Sequence, residues 1–346
     1  MKKPTIARSV QLNIPSNSSL NFSNRMTQKS PSLDHVYTII SSTPSSYISD
    51  PTSNRKLLVL DLNGTLLFRP KRYMKTTHSV PGSNKHRVVH PRPYMASFRG
   101  YLFHPLTKKW LDTMVWSSAQ PHSVKDMVQH SFGDCRGELK TVWARDTLDL
   151  DPTAYNKKSV TIKDLTKLWK AFPPHSPRTT LLVDDSTQKA RLQPWNHIFV
   201  KEYGQTQRRS DLDHLHKQLT SPQDSESRPE SDNKLDLSDL LVNMTLSTSV
   251  ASTRLASPPS STVFDSILLA VIGILEAIKH QDNVSGWLKN GGIVLCGAEG
   301  VMGGGRGTIG DRWFDTVHIV EWWANRGRAA LVELNIDEVA GVVVNR

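Results

Sequence analysis

The sequence predicts an α/β fold, a parallel sheet flanked by helices, and three observations predict it. Leu57-Leu58-Val59-Leu60, Met114-Val115-Trp116 and Leu181-Leu182-Val183 are short apolar runs without alternation. Such runs read as strands buried on both faces, the habit of parallel sheets. Helical patterns over residues 123–132 and 162–172 fall between them, which is the order of a βα chain. Each run also ends at once in polar residues: Asp61-Leu62-Asn63-Gly64-Thr65, Ser117-Ser118 and Asp184-Asp185-Ser186. Ligands in such folds sit beyond the carboxyl ends of the strands, so three strands deliver polar groups to one edge.

Taken in order, residues 1–55 are rich in Ser, Asn and Pro and have no acidic residue before Asp34, while Lys2, Lys3, Arg8, Arg25 and Lys29 are basic. The composition resembles a mitochondrial presequence, but Pro4 and Pro15 break the stretch where its amphipathic helix would lie. A disordered basic tail is the expectation. Residues 56–204 form the predicted core. Residues 205–262 are polar, with Ser221-Pro222 and Ser257-Pro258-Pro259, and read as a low-complexity insertion or linker with at most short helices. The run Ile267–Ile278 is apolar all round, so as a helix it must be buried, and the sheet is its expected partner. Asp265 or Ser266 is its predicted N-cap. Residues 263–292 are thus expected to close the same domain. Residues 293–311 include Gly303-Gly304-Gly305-Arg306-Gly307 without the Lys-Ser/Thr of a phosphate-binding P-loop, and read as a loop. Residues 312–346 are expected to hold a docking helix, with Trp313, Val317, Val320, Ala324 and Leu331 at helical spacing.

Composition narrows the function classes. With 43 Lys+Arg against 32 Asp+Glu the net charge is +11, a surface suited to acidic partners such as phosphopeptides. No nucleic-acid-binding module is recognisable. Two cysteines, Cys135 and Cys296, cannot make a disulfide framework or a four-thiolate zinc site. The longest apolar run holds 12 residues and includes Glu276. A membrane span needs about 20.

Alone, each strand-end motif has an ordinary reading. Asp61 would cap an Asx-turn, Asp184-Asp185 and Ser117 would cap helices, and Lys163 would be a solvated surface lysine. Their combination and order carry more. Leu57 to Leu67 with Asp61-Leu62-Asn63-Gly64-Thr65, then Met114-Val115-Trp116-Ser117-Ser118-Ala119, then Ile162-Lys163-Asp164-Leu165, then Leu182-Val183-Asp184-Asp185-Ser186 resemble the four motifs of the haloacid dehalogenase superfamily. Within it they resemble the branch named for the RNA polymerase II C-terminal-domain phosphatases, the FCP homology domain. His90-Pro91-Arg92-Pro93-Tyr94 is similar to the Arg-Pro step that opens the helix before the second motif. The resemblance covers about residues 56–204 and resumes at 265–288.

The resemblance implies a Rossmann-like domain and a Mg2+-dependent protein serine/threonine phosphatase working through an aspartyl-phosphate on Asp61. Magnesium would be held by Asp61, the backbone carbonyl of Asn63 and Asp185, with Asp184 as the fallback. Ser117 would hydrogen-bond the phosphoryl oxygens, Lys163 would neutralise their charge, and Ser118 would bind substrate. Arg145 stands as either a substrate-phosphate contact or a rim arginine. Asn63 departs from the pattern, which has a general acid–base aspartate two residues after the nucleophile, and losing such a group costs ~10²–10⁴ in rate. The alternative is therefore a non-catalytic binding module, because the same homology domain resembles the receptor subunit of the mitochondrial presequence translocase. The first reading implies phosphoprotein partners in nucleus or cytoplasm. The second implies presequences and translocase subunits at the mitochondrial inner membrane.

Overall fold

In chain order the strands are β1 (Lys56–Leu60), β2 (Leu67–Phe68), β3 (His90–Pro91), β4 (Leu111–Trp116), β5 (Val142–Trp143), β6 (Thr180–Asp184) and β7 (His197–Phe199). The structure, a computed structural model, describes residues 34–70, 88–157, 159–220, 264–297 and 312–343. Five strands make one sheet in the order β5-β4-β1-β6-β7, and every neighbouring pair is parallel. β2 and β3 form a separate antiparallel pair beside the edge where β1 ends.

The helices are α1 (His35–Ser42), α2 (Met95–Phe103), α3 (Pro121–Phe132), α4 (Pro152–Tyr155), α5 (Thr166–Ala171), α6 (Gln205–Thr220), α7 (Ile267–Ile278), α8 (Val284–Lys289), α9 (Gly292–Gly297) and α10 (Val317–Glu333). They cover both faces of the sheet, which explains the continuous apolar strands. Leu58, Leu60, Val115, Leu181, Val183 and Ile198 pack on the side of α2, α3, α7 and α10. Leu57, Val59, Met114, Trp116 and Leu182 face the other way, onto Leu165, Leu168 and Ala190. Alternate residues of each strand thus point into two different cores.

Helix α7 is the hub of the larger core. Leu269, Val271, Ile272 and Ile274 are fully buried, each stabilising the fold by ~1.5–3 kcal/mol relative to exposure. The helix shares that core with residues of the sheet, and α10 packs along it. The two helices approach so closely that a Cβ on Gly273 would sit 2.1 Å from the Trp323 carbonyl oxygen, and one on Gly327 would sit 2.0 Å from that of Leu269. Ahead of α7, Arg92 pairs with Asp265 through Nε at 3.0 Å and Nη2 at 2.9 Å, while its Nη1 donates to the Thr65 carbonyl at 3.0 Å. That buried fork ties the segment before α7 to the turn after β1.

The structure differs from expectation in four places. First, the predicted tail does not reach residue 55. Asp34 caps α1 by accepting the Val36 N–H at 2.9 Å, Tyr37 is buried, and Asn283 donates to the Ile40 and Thr43 carbonyls at 2.8 Å each. The polar composition there hides pairing with residues more than 200 positions away. Second, residues 205–220 of the predicted linker form α6, anchored where Asp211 accepts from the Tyr203 hydroxyl at 2.9 Å and the Asp265 N–H at 3.0 Å. Third, the helix expected from 162 starts only at Thr166, because Lys163 and Asp164 lie in a loop held by Lys189 and Gln193. Fourth, α10 starts after Trp313, which sits in a preceding turn with Nε1 donating to the Phe199 carbonyl at 2.9 Å. The buried face of α10 is Ile319, Trp323, Ala324, Gly327, Ala330 and Leu331, and Val317 is exposed. The expectations for residues 1–33, most of 205–262 and the Gly-rich stretch around 300 lie outside the described residues. Among the described residues no helix is long and apolar enough to cross a membrane.

Candidate active site

Parallel pairing puts the ends of β1 and β6 side by side. The register Leu60↔Val183 continues as the Asp61 N–H donating to the Val183 carbonyl at 3.0 Å, so Asp61 and Asp184 leave the sheet at the same level. On the other side of β1 the register Leu60↔Val115 brings Ser117 to the same edge. Ser117 is buried, its N–H donating to the Trp143 carbonyl and its Oγ accepting the Ala119 N–H at 3.4 Å.

Two lysines join the carboxylates in a closed ring of alternating charge. Lys163 Nζ donates to Asp61 Oδ1 at 3.0 Å and Asp184 Oδ2 at 2.6 Å. Lys189 Nζ donates to Asp61 Oδ2 at 2.8 Å and Asp184 Oδ1 at 2.9 Å. Lys189 also reaches Asp185 Oδ1 at 3.5 Å. The two loops that carry the lysines are themselves joined, since the Lys163 N–H donates to the Lys189 carbonyl at 2.8 Å. Burying such charges is costly unless each is paired and hydrogen-bonded, and the ring meets that condition.

The electrostatics follow from this arrangement. Burial alone would raise the Asp184 pKa, but Lys163 and Lys189 outweigh it and hold that carboxyl well below the usual carboxylate range. Burial alone would discharge Lys189, but the attraction of Asp61, Asp184 and Asp185 wins and drives its pKa well up. Asp185 moves the other way, to about 7, raised first by burial and then by repulsion from Asp61.

The turn after β1 is shaped around Asp185. Gly64 has φ +91°, and a Cβ there would lie 2.2 Å from Asp185 Oδ2, so only glycine fits. Thr65 Oγ1 accepts the Asp185 N–H at 3.1 Å and donates to its Oδ1 at 3.4 Å. Asn63 is exposed, and its Oδ1 accepts the Arg69 N–H at 2.9 Å, which commits the side chain to the chain leaving β2.

Asp61, Lys163, Asp184 and Asp185 are therefore brought together, with Ser117 on the neighbouring strand end. Arg145 is engaged within the protein. Its guanidinium donates to the carbonyls of Tyr155 (2.6 Å), Ser118 (3.2 Å), Ala154 (3.1 Å) and Lys157 (2.8 Å) and to Ser159 Oγ (2.7 Å), so it braces a loop. Ser118 contributes its carbonyl to that brace. The metal fallback Asp184 is fully buried with both oxygens given to lysines. Sequence reasoning missed Lys189, Gly64 and Thr65. Lys189 had one readable signal, its place four residues after Asp185, which returns a side chain over the strand end once a single turn intervenes.

A family model described as NLI interacting factor-like phosphatase matches residues 56–228. An uncharacterized FCP1 homology domain-containing protein of Schizosaccharomyces pombe is 32% identical over 163 residues, which cover 44% of this chain and 63% of that protein. The match thus spans less than two thirds of the relative's length. Among solved structures, that of Fcp1, described as an essential RNA polymerase II CTD phosphatase, matches with 16% identity and a TM-score of 0.29, over 44% of this chain and 43% of that one. A fission yeast Fcp1 variant bound to beryllium fluoride matches over the same shares with 17% identity and a TM-score of 0.28.

Proposed function

This chain belongs to the NLI interacting factor-like phosphatase family, and from that membership we propose that it is a slow protein phosphatase acting on phosphoserine or phosphothreonine. Asp61 is the phosphoryl acceptor. The observation that carries this reading is the position of its carboxylate, at the end of the central strand between two buried or nearly buried ammonium groups. An Asp61 oxygen attacks phosphorus, the ester P–O bond breaks, and an acyl phosphate forms. Lys163 has three N–H donors, of which Asp61 and Asp184 take two, leaving the third for a phosphoryl oxygen. The Ser117 hydroxyl supports a second oxygen. Positioning and charge neutralisation of this kind dominate phosphoryl transfer.

Proton transfer is the weak point. The leaving alkoxide of a phosphoserine needs a proton and the attacking water needs a base, and the amide of Asn63 supplies neither. Its engagement with the Arg69 N–H favours a second reading, a domain that holds a phosphorylated segment with little turnover. The two readings share the pocket and differ in rate.

Phosphatases of this superfamily generally use Mg2+, and Asp61, Asp184 and Asp185 offer oxygens within 4.8 Å of one another. The carboxylates are of the right chemistry, yet the ammonium of Lys189 stands among them. An ion ~2.1 Å from Asp61 Oδ2 would be within about 5 Å of that ammonium, a repulsion of ~7 kcal/mol at an effective dielectric of ~20. Lys189 Nζ already sits against an oxygen of each of the three carboxylates, where the ion would have to stand, so the set does not fit the ion in this arrangement.

The test is phosphate release from an aryl phosphate by the purified chain. A slow release abolished by Asp61→Asn supports the proposal. Release that survives Asp61→Asn would remove Asp61 from the chemistry.

A further inference from the structure

We propose that Lys189 is a built-in cation that takes the place of a divalent metal, keeping metal out of the carboxylate cluster and supplying its positive charge there. The inference rests on reading the Asp61 pocket as a phosphoryl site. The Lys189 ammonium has three N–H bonds and faces three acceptors, one oxygen each of Asp61, Asp184 and Asp185, at 2.8, 2.9 and 3.5 Å. One ammonium thus touches every carboxylate of the cluster.

Its position is fixed by backbone as well as side chain. The Lys189 N–H donates to the Ser186 carbonyl at 3.2 Å, closing the turn that follows Asp185, and its own carbonyl accepts the Lys163 N–H. The next residue, Ala190, is buried in the smaller core. The side chain is 13% exposed, so the ammonium is not a surface group that has strayed inward.

Asp185 is equally constrained. One oxygen lies beside Lys189 and Thr65, and the other is pressed against the Cα of Gly64. The two shorter contacts of each ammonium go to Asp61 and Asp184, so Lys163 and Lys189 match those two carboxylates without an ion. When a phosphoryl group enters, Lys189 exchanges its longest contact, to Asp185, for a phosphoryl oxygen. No covalent bond is made or broken in that exchange.

Calorimetric titration of the full chain with MgCl2 and with MnCl2, without substrate, tests this. The expected result is no saturable binding to the wild type. Lys189→Met should gain one ion per chain, with affinity at least about tenfold above the wild type once the competing charge is gone. Its melting temperature should rise with added Mg2+ while that of the wild type stays flat. Lys189→Arg, which keeps the charge, should bind none. Saturable binding of one Mg2+ by the wild type overturns the proposal on its own, whatever the folding of the variants. A folded Lys189→Met that gains no ion also overturns it. Because no phosphate ester is present, failure of hydrolysis would count against the phosphatase reading alone and leave this result intact.

Discussion

Replacing Gly273 by alanine tests whether α7 and α10 belong to one closely packed core. The added Cβ meets backbone, with the Trp323 carbonyl oxygen 2.1 Å away and the Gly327 nitrogen 3.0 Å away. Real contacts of this kind stay beyond 3.0 Å, so the helices must separate by about an ångström. A gap of 0.5–1 Å forfeits roughly a quarter to a half of each dispersion contact along the seam. Overpacking costs typically 1–3 kcal/mol and more against rigid backbone, while the helix propensity of alanine returns about 1 kcal/mol. The expected net loss is about 2–3 kcal/mol, and at ~2–4 °C per kcal/mol the melting temperature should fall by roughly 4–12 °C. Gly327→Ala should behave alike, and the double variant should lose less than the sum, because both push the same pair apart. Gly137→Ala is the control, since a Cβ there meets nothing within 4 Å. Differential scanning calorimetry on the four variants decides it. A Gly273→Ala protein melting at or above the wild type would refute the close crossing.

Three further outcomes follow from the same contacts. Arg145→Ala should destabilise the protein by about 2–4 kcal/mol by stripping donors from four carbonyls, and it should raise proteolytic nicking near residues 154–159 without specifically raising KM. Lys56 is buried, and burial lowers its pKa from 10.5 to about 8. The folded state then binds fewer protons than the unfolded one between those values, so wild-type stability rises with pH across that window. Lys56→Met should be more stable than wild type at pH 7 by about 1–3 kcal/mol, with the gap closing toward pH 10; a gap constant with pH in urea titrations would contradict the assignment. Asn63→Asp should raise phosphate release by ~10²–10⁴, with the larger gain on phosphoserine, whose alkoxide needs the proton more than an aryl leaving group does.

The legible part of this fold was whatever local chemistry dictates. Leu57 to Leu60 and Leu181 to Val183 are apolar on both alternations because two cores meet them, so the parallel sheet is readable from these residues alone. The bounds of α7 were readable because no polar residue interrupts it before Glu276, whose Oε1 accepts the Tyr101 hydroxyl at 2.7 Å. What was hidden depends on partners far away in sequence. The polar stretch before residue 55 gave no hint of α1, whose carbonyls are met by Asn283. Arg145 was ambiguous because a guanidinium that braces a loop and one that binds phosphate look alike in sequence. Lys189 is hard to read because only the turn at Ser186–Lys189 carries it back over the carboxylates.

The most direct measurement is intact-mass analysis of the wild-type chain, quenched in acid after incubation with an aryl phosphate in EDTA. With a carboxylate acceptor present and no base at Asn63 to activate water, a phosphoryl adduct that maps to Asp61 should accumulate. It should form equally with added Mg2+ and vanish in Asp61→Asn. An adduct on another residue, or one that forms on Asp61 only when Mg2+ is added, would contradict the account.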